Sequence, residues 1–259
     1  MPAPQSPKQN RMLAALSLAG YTHLLPLLEL VPMPAGYVIY ELGLPIRYLY
    51  FPTTCIVTRL YETENGACTQ IGIIGNEGLA DISVLFGGES SRARVIVQST
   101  GEAYRIKAGI LKSEFEAGTE LRHLLLRFAH ALMIQTEQIA VSNRYHTVDQ
   151  QLAYFLLMSL DRLPGNELHI THEQAGIMLG VRRESVTVAA NKLHMTGAIH
   201  CRRGHIAIAD RKQLEASAGE NYKIVKEEYE RLLETYLSSA SRFGRSPEKQ
   251  FKRFFQSIE

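Results

Sequence analysis

Two short helical stretches separated by Gly180 constrain the fold of this chain more than any other feature of its sequence. They lie in the segment EQAGIMLGVRRESVTVAANKL, residues 173–193. Ala175 and Gly176 are small enough to let two helices cross closely, and Gly180 allows the positive φ of a tight turn. The residues placed to fill the wedge between the helices are Leu179, Val181 and Val186. The pattern predicts a helix-turn-helix. A plain helical hairpin is the alternative, but it would not need adjacent arginines at its second helix.

The second of these helices has two chemically different faces. At about 100° per residue, its apolar face consists of Val186, Ala189, Ala190 and Leu193. The opposite face is polar and has a suitable width to enter the major groove of DNA, where the N-terminal turns of such a helix go deepest. Arg183 can donate two hydrogen bonds to guanine, and Glu184 can accept one from a cytosine amino group. The residues predicted to read bases are Arg183, Glu184, Thr187, Val188 and Asn191.

Positive charge is concentrated around the same helix. Between positions 169 and 212 there are seven Lys or Arg residues and three acidic residues, whereas the whole chain has a net charge of +2. The segment IHCRRGHIAIA, residues 199–209, predicts a β-hairpin with basic residues at its tip. A solvated surface is the alternative interpretation of such a charge cluster. The residues predicted to contact DNA phosphates are Arg182, Lys192, Arg202 and Arg203.

The N-terminal half has a different sequence pattern. From about residue 28 to residue 107, short β-branched and aromatic runs such as YVIYEL and IVTRLYET alternate with turn signals such as PAG and FGGESS. Many short strands with regular turns predict an antiparallel sandwich or roll. The segment ENGAC predicts a hairpin tip in which Asn65-Gly66 supplies the positive φ of a tight two-residue turn. Residues 1 to about 17 are predicted to be a loose tail that runs into a short helix.

A long amphipathic helix is predicted to connect the two halves. Residues 118–145 carry apolar side chains at a three-four spacing and contain no proline. The narrow apolar face has two candidate partners, the roll or the same helix of a second subunit, and we favour self-association.

The C-terminal part is predicted to be a helical extension. The segment NYKIVKEEYERLLETYL has apolar residues on one face, which favours a packed helix, and KQFKRFF near the end would contact DNA, a membrane or only solvent. The predicted divisions are a tail and short helix over 1–20, a β-roll over 21–117, a long helix over 118–145, a winged helix-turn-helix over 146–215 and the extension over 216–259.

Several function classes lack their sequence signatures. No apolar run approaches the roughly 18 residues of a membrane span, and the opening MPAPQSPKQN has no apolar secretory segment. We therefore expect a cytoplasmic protein that does not bind membranes. HEQAG at His172 lacks the second histidine of a zinc-protease motif, and neither a phosphate-binding loop nor a GxSxG motif is present, so we predict no catalytic residues. His200, Cys201 and His205 alternate along predicted strands and would not converge, so no metal site is predicted.

These features together resemble the Crp/Fnr family of bacterial transcription regulators. The resemblance runs from about Leu27 to Ile208 and is most specific at ITHEQAGIMLGVRRESV and PMPAGYVIYELG. It implies an α+β fold with an N-terminal antiparallel, jelly-roll-like β-roll, a long dimerisation helix and a C-terminal winged helix-turn-helix. It also implies a homodimer that binds double-stranded DNA at a palindromic operator with half-sites one turn apart, and RNA polymerase as a partner.

The chain departs from the family in the segment DISVLFGGESSRAR, residues 81–94. Family members that bind cyclic nucleotides have a Gly-Glu pair for the ribose and, after a short loop, an arginine followed by Ser or Thr for the cyclic phosphate. Arg92 matches that arginine, but Asp81 and Ile82 replace Gly-Glu, and Ala93 replaces the hydroxyl residue. Cyclic AMP is therefore not expected to bind in the usual mode. Arg92 belongs either to a pocket for another small-molecule effector or to the charged surface.

The second helix of the predicted helix-turn-helix, which carries the candidate base-reading residues, keeps part of the family pattern. The family's first arginine and glutamate are present as Arg183 and Glu184, whereas Val188 replaces a later arginine. We predict a sequence-specific DNA-binding transcription regulator that acts as a homodimer, with no cofactor beyond an unidentified effector. The alternative is an effector or protein-interaction module of cyclic-nucleotide-binding-like fold with weak or vestigial DNA binding.

Overall fold

The computed structural model describes residues 6–240, and only the backbone from residue 232 onward. The described N-terminal residues are packed, and the prediction of a loose tail is wrong for them. Met12 and Leu13 are buried, and the buried Asn10 side-chain amide donates to the backbone oxygens of Pro52 and Gly78 at 2.9 Å each. The helical segments are a 3-10 turn at Pro7–Gln9, α1 at Arg11–Ala14, α2 at Leu18–Leu24 and a 3-10 turn at Leu25–Leu27.

Seven antiparallel strands form the N-terminal roll. They are β1 (Glu29–Met33), β2 (Val38–Tyr40), β3 (Tyr48–Pro52), β4 (Ile56–Glu62), β5 (Cys68–Ile74), β6 (Arg94–Ser99) and β7 (Gly101–Lys107), with a 3-10 turn at Ser83–Phe86. One sheet has the order β1-β7-β3 and the other β2-β6-β4-β5. Fully buried side chains of both sheets, including Leu49, Phe51, Ile56, Ile73 and Ile106, fill the core. The predicted antiparallel roll is confirmed.

The hairpin between β4 and β5 has a longer loop than predicted. The Thr63 amide donates to the Ala67 oxygen, and the Gly66 amide donates to the Thr63 oxygen, both at 2.8 Å. Three residues therefore form the loop, and only Gly66 among them has a positive φ, +80°. A type I turn followed by a left-handed glycine is a common three-residue solution, so Asn65 keeps a negative φ. The predicted two-residue Asn65-Gly66 turn is wrong.

The long helix is present, and one chain already covers its apolar face. Helix α3 (Ala108–Glu116) leads into α4 (Glu120–Tyr145). The buried side of α4 packs on β5 and on a C-terminal helix, α9 (Glu220–Ala240). At its centre, Gln135 accepts from the Ile73 amide at 2.8 Å and donates to the Ile73 oxygen and the Tyr229 hydroxyl. Self-association of α4 would therefore use its other side.

The C-terminal half is a winged helix-turn-helix followed by two helices. Its elements are α5 (Val148–Leu160), β8 (Glu167–His169), α6 (His172–Leu179), α7 (Arg183–Met195), β9 (Ile199–Arg202), β10 (His205–Ile208) and α8 (Arg211–Ala218). The wing is a small antiparallel sheet of order β8-β10-β9. Helix α5 is the central buried helix of this half, because it contacts α7, α8 and α9, and its side chains are buried from Gln151 to Leu160. The predicted α+β architecture is confirmed.

Helix α9 begins as the predicted packed extension. Tyr222, Val225 and Tyr229 are buried on one face, whereas the side chains of Leu232, Leu233 and Tyr236 and the segment KQFKRFF lie outside the described residues. Within residues 6–240, no helix is long and apolar enough to cross a membrane.

Candidate nucleic-acid interface

A close helix crossing fixes the position of α7. Ala175 and Gly176 are buried, and a Cβ on Gly176 would lie 2.9 Å from the Val181 oxygen. The Val181 amide donates to the Gly176 oxygen at 3.0 Å, and Gly180 has a left-handed φ of +65°. A side chain at Gly176 would push the helices apart, and an L-residue at Gly180 would be strained. Gly176 and Gly180 therefore permit the close approach and the tight turn between α6 and α7.

Helix α7 separates its apolar and polar residues as its sequence predicts. Its buried side chains are Val186, Ala189, Ala190 and Leu193. The side chains of Arg183, Glu184 and Asn191 are exposed, and Val188 is 58% exposed although it is apolar. Apolar side chains at such positions are suited to the thymine methyl group. Four of the five residues predicted to read bases thus lie free on one surface.

Thr187 differs from the other four, because it also contacts the preceding helix. Its side chain is half-buried, and its hydroxyl donates to the Arg183 oxygen at 3.1 Å. His172 Nδ1 lies 3.0 Å from the same hydroxyl. His172 is the first residue of α6 and sits 15 positions earlier in the chain. In the sequence His172 stands out only as part of an incomplete protease motif, whereas the structure places its ring in contact with α7.

The residues predicted to contact phosphates lie at three places around this surface. Arg182 is the N-cap residue of α7 and makes no side-chain cap hydrogen bond. Arg202 and Arg203 are exposed at the tip of the β9–β10 hairpin. Lys192 is 62% exposed and lies 3.3 Å from Asp149, at the start of α5. Because exposed ion pairs of this kind contribute little free energy, Lys192 can exchange Asp149 for a phosphate.

Arg211 belongs to the same basic cluster in the sequence, but its side chain contacts other residues of the chain. Its guanidinium contacts Asp161 and the Tyr222 hydroxyl, and its Nε donates to Glu215 at 2.9 Å. Although burial opposes its charge, these partners hold the pKa of Arg211 above its ordinary value. Arg211 thus joins the end of α5 to α8 and α9.

A buried ion pair joins the roll to the helix-turn-helix half. Arg162 Nε donates to Glu77 Oε1 at 2.7 Å, and the side chains are 6% and 5% exposed. The Arg162 Nη1 group donates to the Met158 oxygen at 2.7 Å, and the guanidinium lies 5.2 Å from the ring centre of Tyr229. Burial raises the pKa of Tyr229, so its phenol stays neutral beside this pair. The loop that carries Glu77 therefore meets α5 and α9 at one point.

In the segment that would hold an effector, a buried carboxylate is already hydrogen-bonded within the loop. Asp81 is 1% exposed, and its carboxylate accepts from the Ser83 amide at 2.7 Å and from the Ser91 hydroxyl at 2.8 Å. Asp81 therefore stabilises the loop, a role that its position in the sequence does not reveal. Arg92 lies next to Ser91 with an exposed side chain. No described contact ties Arg92 to an effector pocket.

Comparison with known proteins gives the same architecture. Residues 150–217 match the Crp-like helix-turn-helix domain family. A putative regulator of the crp/fnr family from Eubacterium rectale is 18% identical, with a TM-score of 0.60, and the match covers 82% of this chain and 99% of that one. FixK2 from Bradyrhizobium japonicum is 17% identical, with a TM-score of 0.60, and the match covers 72% of this chain and 95% of that one. A CRP family transcriptional regulator from Thermus thermophilus is 17% identical, with a TM-score of 0.61, and the match covers 73% of this chain and 96% of that one. No curated protein sequence matches the chain significantly.

Proposed function

We propose that this chain is a sequence-specific DNA-binding transcription regulator. It matches the Crp-like helix-turn-helix domain family, and its fold is similar to that of solved Crp/Fnr regulators. The observation that carries the proposal is the outward polar face of α7, which is backed by a fully buried apolar face and flanked by the basic wing tip. A solvated surface helix would not need this combination of exposed arginines at two separate elements.

Base recognition is assigned to the exposed face of α7. Arg183 would donate to guanine O6 and N7, Glu184 would accept from a cytosine amino group, and Val188 would contact a thymine methyl group. Asn191 would pair with adenine or a phosphate. Thr187 would present its methyl group, because its hydroxyl is occupied by the Arg183 oxygen.

Phosphate contact is assigned to Arg182, Lys192, Arg202 and Arg203. These side chains are exposed and surround the reading face. Contacts of this kind anchor and orient the protein without specifying sequence, and each releases counterions from the DNA. RNA polymerase is carried over as a partner by the family resemblance alone.

We propose a homodimer formed by the side of α4 that the chain leaves exposed. Leu126 is 40% and Met133 61% exposed, and Ala140 follows at the same seven-residue spacing. A seven-residue repeat of apolar side chains is typical of helix pairs. Two α7 helices related by a two-fold axis would read half-sites one DNA turn apart.

The proposed regulator does not use cyclic AMP in the usual mode. The acceptor positions for the ribose are taken by Asp81 and Ile82, and the Asp81 carboxylate is already occupied by Ser83 and Ser91. A thermal shift assay with cyclic AMP tests this proposal. No change in melting temperature is expected, and a rise of several degrees would refute it.

The DNA-binding proposal is tested with two arginine variants and a labelled duplex over a range of salt concentrations. Wild-type affinity should fall steeply with salt, because phosphates are neutralised. Arg203→Ala should weaken binding to all sequences and reduce the salt slope by about 1, whereas Arg183→Ala should cost about 1–3 kcal/mol only on preferred sequences. Uniform loss in both variants would remove the distinction between readers and anchors. No binding at low salt would favour the alternative of an effector module with vestigial DNA binding.

A further inference from the structure

Three potential metal ligands share one face of the wing sheet. His205 of β10 pairs directly with His169 of β8, and Glu167 lies two residues before His169 on the same strand. Because directly paired residues share a face and side chains alternate along a strand, all three side chains point to the same side. The register of β8 and β10 therefore places the three side chains next to one another.

The distances between the three side chains are short. His205 Nδ1 lies 3.1 Å from Glu167 Oε1, and the two imidazole rings are 4.2 Å apart at their centres. One ligand atom from each residue lies within 4.8 Å of the other two. Tetrahedral ligands at zinc distances of about 2.0–2.1 Å are roughly 3.4 Å apart, so modest side-chain rotations would bring them to coordination distance.

We propose that Glu167, His169 and His205 bind a divalent transition-metal ion of the zinc class. Two imidazoles and one carboxylate make a donor set suited to Zn²⁺ or Co²⁺, whereas Mg²⁺ and Ca²⁺ prefer oxygen ligands. The site has three protein ligands, and water would complete a tetrahedron. The side chains are accessible to solvent, and the exposed pair of His205 and Glu167 contributes too little free energy to exclude an ion.

The neighbouring cysteine on β9, Cys201, serves as an internal contrast, whereas His200 shares the face of the proposed site because it pairs with Ala207, two residues after His205. The sequence predicts that His200, Cys201 and His205 do not converge, because side chains alternate along a strand. In the sheet, Cys201 pairs with the buried Ile206 on the opposite face, as expected. Glu167 lies 38 positions from His205 in the chain, so no local sequence pattern indicates that the two side chains meet.

Binding of an ion would link β8, which leads into α6, to β10 of the wing hairpin. A ligand that binds the folded chain and not the unfolded one raises its melting temperature. The effect of metal on stability is therefore a second measure of the same site. It does not depend on DNA binding, so failure of the metal proposal and failure of the proposed function are distinguishable.

Calorimetric titration of chelator-treated full-length protein with ZnCl₂ tests the proposal. We expect one Zn²⁺ per chain, a rise in melting temperature and no response to MgCl₂. His169→Ala and His205→Ala should each weaken zinc binding by more than about tenfold. His200→Ala, on the same face of the wing sheet, is the matched control and should bind zinc like the wild type.

The absorption spectrum of the Co²⁺ complex identifies the ligands independently. Nitrogen and oxygen ligands give only weak visible bands, whereas a bound cysteine adds an intense thiolate charge-transfer band. Absence of zinc binding, binding that His169→Ala and His205→Ala leave unchanged, or a thiolate band would each overturn the proposal. Circular dichroism of the variants confirms that a loss of binding does not reflect unfolding.

Discussion

Removal of the Glu77 charge should destabilise the protein strongly. The partner, Arg162, is buried and would keep its charge beside the Met158 oxygen, the Tyr229 ring and the more distant Asp161, with no ionised group in direct contact. Breaking one side of such a buried pair costs about 3–5 kcal/mol, because the remaining ion is neither solvated nor paired. Glu77→Gln also retains the shape of the side chain and an oxygen acceptor for the Gly75 amide, which lies 3.2 Å and 3.1 Å from the two carboxylate oxygens. The predicted loss is thus largely electrostatic.

Urea unfolding of a double-mutant cycle measures this effect. Glu77→Gln and Arg162→Met should each lower the free energy of unfolding by about 3–5 kcal/mol, whereas the double variant should lose at least about 2 kcal/mol less than the sum. Glu29→Gln is the matched control, because Glu29 pairs with Arg105 at 2.8 Å with side chains 58% and 30% exposed. That change should cost less than about 1 kcal/mol. Equal costs for Glu77→Gln and Glu29→Gln, or strict additivity, would refute the reasoning.

Three further predictions address the turn, the core and the dimer. Gly180→Ala should cost more than Gly197→Ala in urea unfolding, by about 1 kcal/mol of steric crowding, because both have positive φ but, of the two, only Gly180 would bring a Cβ within 4 Å of neighbouring atoms; equal costs would contradict the close contact. Burial raises the pKa of Cys55 to about 12, so mass mapping at about pH 8, near the ordinary thiol pKa, should find it unmodified by a thiol reagent until the protein unfolds; rapid labelling of the folded protein would contradict its burial. Met133→Asp should convert a dimer into a monomer in sedimentation, while the exposed Met195→Asp should not; a dimeric Met133→Asp protein would exclude that side of α4.

The helix-turn-helix could be predicted because its determinants are local. Gly176 and Gly180 lie within the segment whose geometry they permit, and the apolar residues of α7 recur at the helical spacing. The strands of the roll were predictable for the same reason. The type and approximate extent of an element depend on its own residues, whereas its partner depends on the rest of the chain.

The features that sequence reasoning missed depend on contacts between distant residues. Asn10 reaches Pro52 and Gly78, which lie 42 and 68 positions away, and this anchors a segment that looks like a loose tail. Gln135 and Tyr229 are 94 positions apart, so packing of α9 on α4 leaves no local pattern. The wrong hairpin turn had another cause: Asn-Gly fits two kinds of tight loop, and pairing of the flanking residues decides between them.

The candidate reading face was predictable in composition, but only partly in detail. Exposure of Arg183 and Asn191 follows from the helical spacing. The contact of His172 with Thr187 does not, because it depends on the angle between α6 and α7. The same limit applies to Lys192, whose neighbour Asp149 belongs to another helix.

Selection of bound sites from random duplex DNA, carried out with the wild type and with Arg183→Ala, tests the central claim most directly. The wild type should enrich a palindrome whose half-sites are about 10 base pairs apart, and Arg183→Ala should lose preference at one base pair in each half-site. Failure of the wild type to enrich any sequence, or enrichment of an identical motif by Arg183→Ala, would contradict the assignment of base recognition to α7.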